Sequence, residues 1–246
     1  EKERVPVTYV GNPLLDELPL ELSREQARDR LKLARGAQAV VLMPGSRPAE
    51  IKLHLELMLD AATKAAAVMR SKGALGEREP LVVLMPFPVT AQIEAARARV
   101  ADWVQRASGG KPGFILDVRV SQGDAAECLI AADAGLIKSG TSTLEAALLG
   151  CPHAIVYKTN FLTAWIFKFL IRYKGPVGLS NLVAGWELGK PWLVHEILLD
   201  QVRVDTLCDE LLTLLMNSPR REELRHGFER VRSRVVTSAG RSPSAA

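Results

Sequence analysis

Short unbroken apolar runs alternate with longer stretches of helical periodicity along most of this chain. Ala39-Val40-Val41-Leu42-Met43 is closed by Pro44-Gly45 and followed by a helical pattern from about Pro48 to Arg70. Pro48 sits near the start of that pattern, where its fixed φ suits a first helical turn. Leu81-Val82-Val83-Leu84-Met85, closed by Pro86, precedes a helix over 89–107. Phe114-Ile115-Leu116-Asp117-Val118 precedes a short helix over 123–132, and Ala134-Gly135-Leu136-Ile137 a helix over 141–149. His153-Ala154-Ile155-Val156-Tyr157 is a fifth run. Runs of this length suit strands buried on both faces. Their alternation with helices predicts βαβ units, hence an α/β fold with a Rossmann-like parallel sheet flanked by helices and a helical C-terminal extension.

Outside this rhythm, Val7 to Val10 reads as a short strand ending in a turn at Gly11-Asn12-Pro13. Residues 14–38 are polar and helix-prone, with Ser23 and Gln26 spaced for a capping box. The expected division is a linker and first helix over 1–38, a Rossmann-like domain over 39–200, C-terminal helices over 201–236 and a flexible tail over 237–246. The chain starts Glu1-Lys2-Glu3-Arg4, without Met or a signal peptide, and runs at once into an apolar stretch; it is expected to be a piece of something longer.

Composition narrows the function classes. Hydrophobic residues at 48% and charged residues at 24% describe an ordinary globular chain, not a disordered or collagenous one. The net charge of +4 is too weak to imply nucleic acid, so no nucleic-acid partner is expected. Cys128, Cys151 and Cys208 are far apart and form no CxxC pair, which argues against a disulfide framework or a zinc site and for a reducing, cytoplasmic setting. No apolar run reaches the length of a membrane-spanning helix. Walker, HExxH and GxSxG patterns do not occur, and the four dispersed histidines read as structural or solvated. Neither a metal nor a cofactor is expected.

Two strand-to-helix turns carry candidate chemistry, because parallel sheets bind ligands beyond the carboxyl ends of their strands. In Met43-Pro44-Gly45-Ser46-Arg47-Pro48-Ala49-Glu50, Gly45 permits a sharp turn and the helix start offers unpaired N–H groups. Ser46 adds a hydroxyl, and the Arg47 guanidinium can hold two phosphate oxygens. In Lys138-Ser139-Gly140-Thr141-Ser142-Thr143-Leu144-Glu145, Ser139, Gly140 and Thr141 can present hydroxyl and N–H donors, while Glu145 can accept from sugar hydroxyls. Each turn alone could be an ordinary helix cap. Two of them in one parallel sheet favour a nucleotide or nucleotide-sugar site.

A third segment, 158–174, mixes Phe161, Trp165, Phe167, Phe169 and Tyr173 with Lys158, Lys168, Arg172 and Lys174, and holds no acidic residue. An interfacial membrane helix uses this combination, with Trp165, Phe169, Lys168 and Arg172 as the expected contacts; a helix packed on the domain or on a partner chain uses the same apolar stripe.

These residues together resemble the lipid-A-disaccharide synthase family. The resemblance rests on Met-Pro-Gly-Ser-Arg-x-x-Glu at 43–50, Ser-Gly-Thr-x-Thr-Leu-Glu-Ala at 139–146, the Gly150-Cys151-Pro152 turn, Leu179-Ser180-Asn181-Leu182-Val183-Ala184-Gly185 and Tyr9-Val10-Gly11-Asn12-Pro13-Leu14-Leu15-Asp16. It implies one half of a GT-B glycosyltransferase that transfers diacylglucosamine from a UDP-diacylglucosamine donor to a diacylglucosamine 1-phosphate acceptor and releases UDP. By this resemblance the chain is the C-terminal, donor-binding half; the acceptor cleft and catalytic base belong to an N-terminal half, so no catalytic residue is assigned. Gly45, Ser46 and Arg47 match the diphosphate-side motif, Ser139, Gly140, Thr141 and Glu145 the nucleotide-side motif, and Asn181 the Asn of a Leu-Pro-Asn-Leu segment. The chain departs from the family pattern with Asn12 for His, Ser180 for Pro and Lys158 for Arg. The implied location is cytoplasmic and peripheral, on the inner face of the inner membrane, with homo-oligomer formation left open. Two readings compete: another UDP-sugar enzyme of GT-B type, such as a MurG-like transferase or an epimerase, and a non-catalytic nucleotide-binding or membrane-docking fragment.

Overall fold

A computed structural model describes residues 12–88, 90–109, 115–159, 175–186 and 191–235. Its elements run α1 (Leu14–Glu17), α2 (Arg24–Arg30), β1 (Ala39–Met43), α3 (Pro48–Ser71), β2 (Leu81–Phe87), α4 (Thr90–Ser108), β3 (Leu116–Gln122), α5 (Ala125–Ala131), β4 (Ala134–Lys138), α6 (Thr141–Leu148), β5 (His153–Tyr157), α7 (Leu179–Ala184), β6 (Glu196–Leu198), α8 (Val204–Met216) and α9 (Ser218–Val235). The described strands form one six-stranded sheet in the order β3-β2-β1-β4-β5-β6, parallel at every pairing. That is a doubly wound Rossmann-like order, and its direction reverses between β1 and β4.

Strand residues alternate between two cores because successive side chains point to opposite faces. Val40, Leu42, Val83, Met85 and Leu136 join the larger core, which also buries the apolar faces of α3, α8 and α9. Ala39, Val41, Val82, Leu84 and Ile137 join a smaller one with Ala27 of α2 and Cys128, Leu129 and Ala131 of α5. Burial on both faces is why the strands read as continuous apolar runs. The capping box at Ser23 and Gln26 forms as its spacing predicts.

Three strand boundaries depart from the sequence reading. β2 continues through Pro86 to Phe87, because its pairing with β1 ends at Leu84 and a missing N–H on an unpaired side costs nothing. β3 runs from Leu116 to Gln122, overlapping the expected Phe114 to Val118 but extending past it, and carries Asp117, Arg119, Ser121 and Gln122. It is an edge strand, where polar residues are tolerated and a search for apolar runs misplaces it. β6 is three residues long at the other edge and was not foreseen. The strand expected at 7–10, the interfacial segment with Trp165, Lys168, Phe169 and Arg172, and the tail from 237 lie outside the described residues.

His153 opens β5 inside the larger core. Its Nδ1 lies 2.9 Å from the Cys151 carbonyl, its ring stacks on Phe228 at 5.5 Å, and its Nε2 is buried without a hydrogen-bond partner among the described residues. Burial pushes its pKa down to about 4. All three cysteines are buried and free.

Candidate functional site

A cleft of about 610 Å³ opens at the carboxyl ends of β1, β2, β3 and β4. One wall is polar and comes from the two turns that flank the reversal of strand order: Gly45, Ser46 and Arg47 after β1, and Ser139, Gly140 and Thr141 after β4. The other wall is apolar, built from Pro86 and Phe87 at the end of β2, Pro88 after it, Ala125 and Ala126 of α5, and Leu14 and Leu18 from the linker. Sheet order thus brings together two segments nearly a hundred residues apart. A crevice at the reversal point, with two helix starts aimed into it, is suited to an anionic ligand.

The first turn is organised by Glu50, in the first turn of α3. Its Oε2 accepts from the backbone N–H groups of Ser46 at 3.1 Å and Arg47 at 3.3 Å, and its Oε1 from Arg47 at 3.3 Å and from Lys138 Nζ at 2.8 Å. Burial works against the charged form, but the Lys138 hydrogen bond and the two backbone donors outweigh it and hold the carboxyl below its ordinary range. Gly45 has φ +111°, and a Cβ there would stand 2.5 Å from Glu50 Oε2. Only glycine lets the carboxylate fold back over the turn. Arg47 keeps its side chain 80% exposed, free to swing onto a ligand.

His54, one turn further along α3, is buried. Its Nε2 accepts from the Lys158 N–H at 3.0 Å, so its proton sits on Nδ1 and is donated to the Glu50 carbonyl at 2.8 Å. Burial leads the causes that lower its pKa. It fastens α3 to the chain leaving β5 and acts as a structural histidine.

At the second turn the predicted donors divide. Ser139 donates its N–H to the Val156 carbonyl at 2.9 Å and its hydroxyl to the Val177 carbonyl at 2.8 Å. It therefore offers a ligand acceptor capacity rather than the donors expected of it. Thr141 and Ser142 open α6, where first-turn N–H groups have no partner within the helix. Glu145 faces the cleft half-buried; burial first, and then the charge of Glu17 on the linker helix, raise its pKa, against a hydrogen bond from Thr141.

Asn181 is not brought to the cleft. It is 1% exposed, donates through Nδ2 to the Val194 carbonyl and to Glu196 Oε1, both at 2.8 Å, and accepts from the Val194 N–H at 2.8 Å. Its amide is spent on the fold, whereas the resemblance implies a substrate contact. Glu196 completes this knot by accepting from the N–H groups of Val177 at 2.8 Å and Gly178 at 3.0 Å. The neighbouring Ser180 is buried, and its Oγ has no hydrogen-bond partner among the described residues. Ser180→Ala should therefore stabilise the chain by about 1 kcal/mol in denaturant unfolding.

Sequence reasoning missed Lys138 and Glu17 as cleft residues. Lys138 follows an apolar run and precedes a hydroxyl-rich turn, a signal that was present; nothing local marks Glu17, which the linker brings in. Among the described residues no group of three or more His, Cys, Asp or Glu side chains could hold a metal ion, and no helix is long and apolar enough to cross a membrane.

Solved structures with this fold include Anabaena HepE in complex with UDP and glucose, with TM-score 0.52 and 11% identity over 86% of this chain and 47% of that one. Sucrose-phosphate synthase from Thermosynechococcus elongatus has TM-score 0.51 and 17% identity over 92% and 47%. The lipid-A-disaccharide synthase of Dechloromonas aromatica is 33% identical over 231 residues, covering 94% of this chain and 55% of its own length. That of Enterobacter sp. strain 638 is 29% identical over 239 residues, covering 97% and 56%. The chain thus spans about half the length of the curated relatives it matches. The profile described as lipid-A-disaccharide synthetase matches residues 1–242, and by the breadth of that match this chain belongs to the lipid-A-disaccharide synthetase family.

Proposed function

We propose that the cleft binds the UDP-linked diacylglucosamine donor of a glycosyltransferase, and that the whole protein transfers its sugar to diacylglucosamine 1-phosphate. The observation that carries this reading is the meeting of two helix starts, Arg47 and Glu145 in one crevice at the reversal of the sheet. The N–H groups opening α6 and the Arg47 guanidinium receive the diphosphate, and as the glycosidic bond to it breaks they stabilise the charge left on departing UDP. Glu145 accepts from the ribose hydroxyls, which favours its ionised form once the cleft is filled. The apolar wall takes the least polar part of the ligand that reaches it.

The acceptor site and the base that removes the acceptor's proton are assigned to the rest of the protein, as in the family as a whole. Acylated substrates place the reaction at a bilayer surface, and Trp165, Lys168, Phe169 and Arg172 are the residues assigned to meet it. Titration calorimetry with UDP tests the donor site. Arg47→Ala should weaken UDP by about ten-fold with an unchanged melting temperature, since the side chain is exposed and its loss removes a charge-assisted contact. Failure of the wild-type chain to bind UDP would overturn the reading.

A further inference from the structure

Lys138 ends β4 at the floor of the crevice, and its ammonium is already engaged. It donates to Glu50 Oε1 at 2.8 Å, with both side chains 17% exposed. The same carboxylate takes the N–H groups of Ser46 and Arg47 and one guanidinium nitrogen of Arg47. Two backbone donors at a helix start and two cations are the partners a phosphate group seeks. Here an anion of the protein itself holds them.

We propose that Lys138 is a phosphate-binding residue of this cleft, kept in place by Glu50 as a resident anion and passed to the diphosphate when the nucleotide enters. This rests on the donor-site reading above. Glu50 is carried by α3 and folded against Gly45, so it does not leave. What exchanges is the cations: Lys138 and Arg47 have long flexible stems and need only swing from one anion to a neighbouring one. A diphosphate bears more charge than a carboxylate and draws them more strongly. Until it arrives, the pair leaves no half-buried charge unpaired. The resident carboxylate also sets a threshold, since a ligand with a single weak charge draws the cations from it only weakly.

The two members of the pair should act on affinity with opposite signs. Calorimetry with UDP, and separately with inorganic diphosphate, at low and high salt, on wild type, Lys138→Met and Glu50→Gln tests this. Lys138→Met should weaken both ligands by about ten-fold and flatten the salt dependence. Glu50→Gln should tighten both by about three-fold or more, because it frees both cations while its amide oxygen still accepts from the turn. If Lys138→Met leaves affinity unchanged, or if Glu50→Gln weakens binding alongside it, the pair is architectural and the inference falls. If Glu50→Gln does not fold, Lys138→Arg decides: it should retain the affinity that Lys138→Met loses, and equal loss in both overturns the assignment. A wild-type chain that binds neither ligand defeats the donor-site reading itself, a result distinct from variants that fail to move a measurable affinity.

Discussion

Gly45→Ala is expected to cost about 3 kcal/mol of stability and to remove measurable UDP binding. Two penalties coincide at this position. A φ of +111° lies outside what an L side chain adopts readily, and strain of that kind costs about 1–3 kcal/mol. The new methyl would also stand 2.5 Å from Glu50 Oε2 and 2.7 Å from Glu50 Cβ. The first contact yields by swinging the carboxylate away, which abandons the Ser46 and Arg47 N–H groups and Lys138. The second yields only if the helix start itself moves, and overpacking of this sort adds about 1–3 kcal/mol. Gly123 is the control. It lies on the same cleft at φ +72° but with nothing within 4 Å of an added Cβ, so Gly123→Ala should cost only about 1 kcal/mol and leave the Gly45 turn intact. Denaturant unfolding and UDP calorimetry on both variants check this; equal effects at the two glycines would refute the role given to Glu50.

Acid should erode the stability of this chain more steeply than that of a variant without His153. The imidazole titrates near 6.5 in the unfolded chain but is held to about 4 in the fold by complete burial. Between those values the unfolded state binds the extra proton, so stability rises with pH and is lost as pH falls through the window. The slope is about 1.4 kcal/mol per pH unit, or about 3 kcal/mol from pH 6.5 to 4. Protonation would also put a charge beside Phe228 with no acceptor at Nε2 among the described residues. His153→Gln keeps a donor for the Cys151 carbonyl and cannot titrate. Its stability at pH 7 should be lower through lost stacking, but it should fall less steeply between pH 6.5 and 4.5. Parallel curves for the two proteins would show that His153 does not carry the acid response.

Much of the fold is legible in the chain because the central strands are buried twice over. Ala39 to Met43, Ala134 to Ile137 and His153 to Tyr157 have no solvent face to vary, so each reads as an uninterrupted run. The edges are illegible for the converse reason. β3 alternates Val118 and Val120 with Asp117, Arg119 and Ser121, and β6 is too short to show any period. In the site, the Gly45 turn shows itself through local chemistry, since glycine before Ser-Arg-Pro has few other uses. Ser139 in its turn and Asn181 through the family resemblance read as ligand contacts, yet their polar atoms are spoken for by Val156, Val177, Val194 and Glu196, which lie from 13 to 38 residues away. Only the folded chain shows where such hydrogen bonds go. The Lys138–Glu50 pair, 88 residues apart, is hidden for the same reason.

The neighbouring positions of β1 and β4 also set when the crevice can exist. Val40 pairs with Ala134 and Met43 with Ile137, so closing this ladder means closing a loop of more than ninety residues. The entropy of that closure is met before its contacts return anything, which makes such pairings slow and late. Neither turn alone lines the crevice. A partly folded chain that has assembled only β1, β2 and β3 therefore has no affinity to offer, and a ligand arriving during folding does not guide it. Binding enters the kinetics on the other side of the barrier: an occupied crevice retards unfolding and leaves the folding rate almost untouched.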